Sequence, residues 1–395
     1  MSQTNYISNL TPLRGIAALL TVVFHVNIGT QMLGFPFIDK LYLMVDFFFI
    51  LSGFIMLHVY GKMFSESVTG ANFKKFTIAR FARIYPLHFF TLMLTILIWS
   101  VGAYLGVPKV PVFQIENTGF SIFTNLFLLQ SMNLHNWFSW DHASWSISTE
   151  WWMYMLFPFL VVPFNKLRSM GQATVALLCF AGYLAITFWI VPLVTNPPEI
   201  PFVHLDPAKL TINVAYQYGF LRCMFGFVLG MMLHKGYEQN WGKSFLANGY
   251  ALTIAVVGLF ICFHFAVPDV FSVSFLPFIL LSAAYGSASV NKFLSTRALQ
   301  KIGDWSFSIY LIHQPLLYSI GIAMAYFNPA DPNAPAGPPP SPPFFAAWGI
   351  CFSVIAVTLL LASLTYRYIE TPARLRINRK PHYALQPDTQ LLVNK

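Results

Sequence analysis

Apolar residues are distributed along the chain in long blocks, at about 12–33, 41–60, 86–106, 145–163, 172–194, 210–233, 245–266, 270–289, 305–327 and 344–366. Each is roughly 18 to 25 residues long, enough for a helix to cross the hydrocarbon core of a bilayer. The pattern predicts an all-α polytopic membrane protein of about ten transmembrane helices. Two connections stand out. The segment 107–144 contains the apolar run FSIFTNLFLLQ, too short for a full span and read as a re-entrant or interfacial helix. The segment 328–343 is rich in proline and reads as an extended linker.

Composition strengthens this picture. Of 395 residues, 56% are hydrophobic and 9% charged, and the mean hydropathy is +0.61, which excludes a soluble domain. The first apolar run has no small-residue cleavage pattern and reads as a retained span. The four cysteines, Cys179, Cys223, Cys262 and Cys351, lie inside apolar runs without ligand-like spacing. They are expected to be packing residues, and no metal is expected.

The net charge of +9 would suit nucleic acid in a soluble chain, but here the positions of Lys and Arg indicate topology. With both termini in the cytoplasm, nineteen of the 23 basic residues fall on the inner side, leaving Lys40, Lys109 and Lys209 outside and Arg222 within a span. No nucleic-acid partner is expected. The reading is one membrane-embedded domain over 1–376 and a cytoplasmic tail over 377–395, in the inner (plasma) membrane.

Within the spans, ionisable residues recur at matched depths. Arg14 and His25 bracket RGIAALLTVVFH, eleven positions apart, so they share a helix face about 16 Å apart. Asp46 in MVDFFFILSGF and Glu150 in SWSISTEWWMYMLFP each enter from the outer side, near the depth of His25. Buried ionisable groups in spans face the bundle interior and mark functional paths. A carboxylate that holds the imidazole tautomer is the usual arrangement behind a general base. At the inner side, Arg80 and Arg83 in FTIARFARIYPLH precede Pro86, which is expected to open the third span. With Arg14 they form a cationic cluster suited to phosphate. The plainer readings are snorkelling for Arg14, helix-start carboxylates for Asp46 and Glu150, and ordinary orienting charge for the arginine pair. His58 and His88 are placed near inner helix ends, away from the chemistry, and Glu370 is paired with Arg374.

The Arg14–His25 spacing, FFFILSGF (47–54), RFARIYP (80–86), SWSISTEWW (144–152), LRCMFGFVLG (221–230), SFSIYLIHQP (306–315) and YIETPAR (368–374) occur in one order. Together they resemble acyltransferase family 3, polytopic membrane enzymes that O-acylate carbohydrates and other hydroxyl acceptors. The resemblance extends to about residue 376. It implies an acyl donor, usually acetyl-CoA, with Arg14, Arg80 and Arg83 in donor handling and His25 in catalysis. Some members carry a further hydrolase-like domain, which is not expected here.

Combined with the residue reading, the resemblance implies donor phosphates at the arginine cluster and a thioester carbonyl beside His25. The imidazole takes the acceptor hydroxyl's proton, and Asp46 or Glu150 stabilises the imidazolium. Trp145, Ser146, Tyr310 and His313 are candidates for substrate contact, with Ser148 a further oxyanion donor. Direct transfer and an acyl-enzyme intermediate are both compatible. The expected partners are acyl-CoA, a glycan or other hydroxylated acceptor, and the bilayer. The alternative function is a secondary transporter or glycan flippase, which also uses intramembrane ionisable groups.

Overall fold

A computed structural model of the chain describes residues 7–27, 32–109, 111–195, 210–329 and 342–378. Residues 330–341 of the proline-rich connection, and the tail from 379 onward, lie outside the described residues. The described chain is helical and contains no strand. Its main helices are α1 (Leu10–Asn27), α2 (Met44–Tyr60), α3 (Gly70–Tyr104), α4 (Gly119–Leu126), α5 (Trp145–Asn165), α6 (Ser169–Ala185) and α7 (Gly219–Glu238). They continue with α8 (Gly249–His264), α9 (Phe275–Tyr285), α10 (Arg297–Asp304), α11 (Ser306–Phe327), α12 (Phe344–Thr365) and α13 (Thr371–Asn378).

Every apolar block read from the sequence coincides with a helix, but length and hydropathy together single out fewer spans than the ten expected. Six described helical stretches meet both conditions: Leu10–Asn27, Pro36–Phe64, Gly70–Tyr104, Met170–Leu193, Ser306–Phe327 and Phe344–Asn378. A seventh is obtained if Asp269–Tyr285 and Ala288–Leu294, bent by 93° at the break between them, count as one. Side chains such as Leu177, Trp189, Phe352 and Leu360 are exposed on these helices, as expected of surfaces solvated by lipid tails.

Three boundaries differ from the sequence reading for identifiable reasons. Helix α3 begins at Gly70, capped by the Thr69 side chain accepting from the Asn72 N–H at 3.3 Å. Pro86 therefore lies inside a 35-residue helix rather than opening one, and Arg80 and Arg83 belong to the span itself. Helix α7 begins only at Gly219, because Asp269 holds the preceding segment extended. The Asp269 carboxylate accepts from the Ile212 N–H (2.9 Å), the Thr211 hydroxyl (2.7 Å) and the Tyr42 hydroxyl (2.6 Å), and is paired with Lys40 (2.6 Å). The 107–144 connection folds inward. Its helix α4 opens with a capping box between Thr118 and Ser121, and the Asn125 carbonyl lies 2.9 Å from His88 Nε2. His88 is sixteen residues, about 24 Å, from the Tyr104 end of α3, so α4 packs against the middle of α3, and His88 is a buried anchor rather than a peripheral residue.

The helices are centred on the α2–α7 pair. A Cβ at Gly53 would come within 1.8 Å of the Phe227 carbonyl oxygen, and one at Gly230 within 1.8 Å of that of Ile50. The two backbones touch, the close approach that small residues permit between helices in lipid. This contact fixes the heights of Asp46 and Arg222 relative to each other.

Candidate active site

Helices α1 and α11 bring His25 and His313 together, with His25 Nδ1 3.2 Å from His313 Nε2. The backbone then fixes both tautomers. His25 Nδ1 is 2.9 Å from the Thr21 carbonyl oxygen, and His313 Nδ1 is 3.2 Å from that of Ile309. A carbonyl only accepts, so in the neutral pair both Nδ1 atoms carry the proton. The His25 Nδ1–H is shared between Thr21 and His313 Nε2, and His25 Nε2 keeps its lone pair. His25 Nε2 makes no hydrogen bond among the described residues.

From His313 a line of polar groups runs through the bundle. Its ring lies 6.1 Å from that of Tyr310, whose hydroxyl is 2.7 Å from the Ser146 hydroxyl on α5. One turn further along α5, Glu150 accepts from the Tyr154 hydroxyl at 2.7 Å, and Tyr154 also meets Ser52 of α2 at 3.0 Å. Arg80 reaches this group from α3: its guanidinium donates to the Tyr60 hydroxyl at 2.6 Å and lies 5.8 Å from the Tyr154 ring centre. The residues therefore form a column from Arg80 through Tyr154, Glu150, Ser146 and Tyr310 to His313 and His25. Of these, Tyr60, Ser52 and Tyr154 escaped the sequence reading, since hydroxyl residues in apolar runs carry no pattern of their own.

Arg83 and Arg80, three residues apart on α3, take different partners. Arg83 pairs with Glu370 in the π-turn Tyr366–Glu370 and lies over the Phe307 ring. The Ser308 hydroxyl donates to the same carboxylate at 2.9 Å. The partner seen for Glu370 is thus Arg83 rather than the expected Arg374, because the π-turn carries the carboxylate back beside α3. Arg14 is half-buried on α1, where Gly15 backs onto the Gly303 end of α10.

Asp46 does not share the His25 site. It is fully buried against Arg222, which donates to it from Nε (3.0 and 3.2 Å) and from one terminal nitrogen (2.6 Å). No hydrogen bond or ion pair joins Asp46 to His25 among the described residues. The reason is which face of α2 meets which helix: the glycine contact between α2 and α7 sets Arg222 directly beside Asp46. Trp145, taken for a substrate contact, carries the Arg222 guanidinium 5.5 Å from its ring centre. Glu150 likewise lies on the Arg80 side of Ser146, bonded to Tyr154. The group that orients His25 is an imidazole rather than a carboxylate.

The 107–144 connection adds two titratable residues that the sequence analysis did not single out. Asp141 is buried, and its carboxyl is pushed up to about 7, first by burial, with the Thr91 hydroxyl and Ala143 amide opposing. Burial, and next the nearby His25 imidazole, push His142 down to about 3. No cluster of three or more His, Cys, Asp or Glu side chains suited to a metal ion occurs among the described residues.

Comparison with known proteins identifies the family of the chain. The curated relatives include peptidoglycan O-acetyltransferase OatA of Listeria monocytogenes, 22% identical over 93% of this chain and 56% of its own length. Acyltransferase MdmB of Streptomyces mycarofaciens is 25% identical, covering 96% of this chain and 95% of its own. Putative peptidoglycan O-acetyltransferase YrhL of Bacillus subtilis is 25% identical over 93% of this chain and 55% of its own. The chain thus spans little more than half the length of the OatA and YrhL proteins it matches. No solved structure is significantly similar to it. Residues 7–366 match the family described as an acyltransferase domain, Acyl_transf_3, and the chain, with several helices long and apolar enough to cross a membrane, belongs to that family.

Proposed function

We propose that the protein is a plasma-membrane O-acyltransferase that moves an acyl group, acetyl in the simplest case, from acyl-CoA to a hydroxyl of a glycan or other acceptor. The single observation that carries this reading is the His25–His313 pair, whose backbone contacts leave His25 Nε2 as the proton acceptor. In this reading ten helices cross the membrane and both termini are cytoplasmic. The names of the relatives favour a cell-wall glycan as acceptor.

The acceptor oxygen attacks the thioester carbonyl while His25 Nε2 takes its proton. His313 Nε2 and the Thr21 carbonyl hold the imidazolium through Nδ1–H. The C–S bond then breaks, and the departing thiolate recovers the proton from His25. The Tyr310 and Ser146 hydroxyls are placed one residue layer away and serve as oxyanion donors. Arg80 and Arg14 are the residues for the donor's phosphates, whereas Arg83, neutralised by Glu370, holds α3 against the π-turn. Asp46 belongs to the scaffold.

Membranes containing the protein, incubated with radiolabelled acetyl-CoA and candidate glycans, are expected to transfer label, and His25→Ala is expected to abolish transfer. Transfer that persists in His25→Ala removes the general base. Uptake of glycan without acylation would instead establish the transporter reading.

A further inference from the structure

A single tyrosine stands across the polar column between its two ends. On α5, Ser146, Glu150 and Tyr154 follow one another at four-residue intervals, so they share one face over about 12 Å. Tyr154 is 5% exposed and is held on several sides. Its hydroxyl donates to Glu150 Oε1 at 2.7 Å and accepts from the Ser52 hydroxyl of α2 at 3.0 Å. Its ring lies 6.4 Å from that of Phe76 on α3 and 6.2 Å from that of Phe227 on α7. Both phenylalanines pack in turn on Phe157, at 5.6 and 5.9 Å, and all three are fully buried.

The Arg80 guanidinium completes the closure. Its carbon centre lies 4.9 Å from the Tyr60 ring centre and 5.8 Å from that of Tyr154, and it donates to the Tyr60 hydroxyl at 2.6 Å. A cation between two aromatic faces is attracted to both. The arginine whose charge suits a phosphate is therefore engaged with the ring that separates it from Ser146 and Tyr310.

That engagement is exchangeable. Arginine–phosphate bonds are charge-assisted and bidentate, stronger than a cation–π contact or a neutral hydrogen bond. A phosphate that draws Arg80 away removes one attraction on the Tyr154 ring. The amide groups of an acyl-CoA arm then offer Glu150 a donor and Ser52 an acceptor in place of the Tyr154 hydroxyl. We infer that Tyr154 is a plug that seals the Arg80 end of the column from the His25 end until a phosphate-bearing thioester donor displaces it. Without donor, the plug keeps water and ions from passing between the two ends. With donor bound, the donor's own arm fills the path. The inference rests on the acyl-transfer reading for the donor and on the packing around Tyr154 for the seal.

The test uses the full chain in sealed proteoliposomes under an imposed pH gradient, together with thiol release from acetyl-CoA in the absence of acceptor. Wild-type vesicles are expected to hold the gradient. Tyr154→Ala leaves a void bordered by Glu150, Ser52 and Arg80, polar enough to hold water, and should dissipate the gradient roughly tenfold faster. It should also speed thiol release, as water attacks the thioester carbonyl to give acetate and free coenzyme A. Tyr154→Phe keeps the ring and loses both hydrogen bonds, so it should leak several-fold faster than the wild type even where the alanine variant fails to fold. Because those bonds exist only in the closed state, Tyr154→Phe should lower the half-saturating acetyl-CoA concentration roughly three- to tenfold, which a merely structural tyrosine would not do. Faster leak in the variants of a protein that performs no acetyl-CoA chemistry upholds the seal and removes the acyl-transfer reading. Folded variants that hold the gradient as the wild type does overturn the plug. An unchanged or raised acetyl-CoA requirement in Tyr154→Phe overturns its displacement by the donor.

Discussion

The most discriminating experiment concerns Asp46, which the sequence offered as a carboxylate stabilising the His25 imidazolium and the structure joins to Arg222. Both side chains are fully buried, and the guanidinium also donates to Asn213 Oδ1 (3.0 Å), the Val214 carbonyl (3.3 Å) and the Tyr42 carbonyl (3.4 Å). Asp46→Asn leaves a buried cation with those three neutral acceptors, at a cost of about 3–5 kcal/mol. Arg222→Met orphans the carboxylate by a similar amount, and also the three acceptors, each adding about 1 kcal/mol. Arg222→Met is therefore the more damaging single change. In the double variant no unpaired charge is left, so the two effects should fall short of additivity by about 2–3 kcal/mol. Denaturation of the four proteins in mixed micelles reads the cycle, and label transfer is measured on whatever folds. Additive destabilisation refutes the buried-pair reasoning. A double variant that is stable yet inactive, beside an active Arg222→Met protein, would return Asp46 to the chemistry.

Three further outcomes follow from the geometry. His313→Phe removes the acceptor for the His25 Nδ1–H and should lower turnover roughly 10- to 100-fold, with His313→Gln retaining more because its amide oxygen still accepts; full activity in the phenylalanine variant refutes the orienting role. Gly230→Ala places a Cβ 1.8 Å from the Ile50 carbonyl oxygen, backbone that cannot rotate aside, and should cost about 1–3 kcal/mol; an unfolding curve matching the wild type would show that α2 and α7 do not touch. Asp141, with its carboxyl raised from 3.8 to about 7, holds its proton more tightly folded than unfolded, so its contribution to stability falls as pH rises from about 4 to 7. His142, lowered to about 3, contributes the opposite slope below about 6.5. The wild-type-minus-Asp141→Asn difference isolates the Asp141 part, on the order of 4 kcal/mol at most, and a difference that is flat with pH refutes it.

The sequence alone carried the membrane class, the helical blocks and the family, because each depends on local properties: block length against bilayer thickness, and short motifs kept in order. His25 was found the same way, as an imidazole inside an apolar run. What it could not carry was partnership. Asp46 and Glu150 were read as companions of His25 from depth along separate helices, yet depth says nothing about azimuth. The glycine contact between α2 and α7 turns Asp46 toward Arg222, and α5 turns Glu150 toward Tyr154. Glu370 was assigned to Arg374, one turn further along the chain, whereas the π-turn delivers it to Arg83. The inward fold of the 107–144 connection was legible only as a short apolar run. Its consequence, that Asp141 and His142 arrive beside Tyr318 and near His25, required the hydrogen bond between Asn125 and His88, 37 residues apart. Residue types and spans are properties of the chain itself. Which buried charge meets which is decided by backbone packing, since in a low-dielectric interior a displacement of one helical turn separates an ion pair from an orphan.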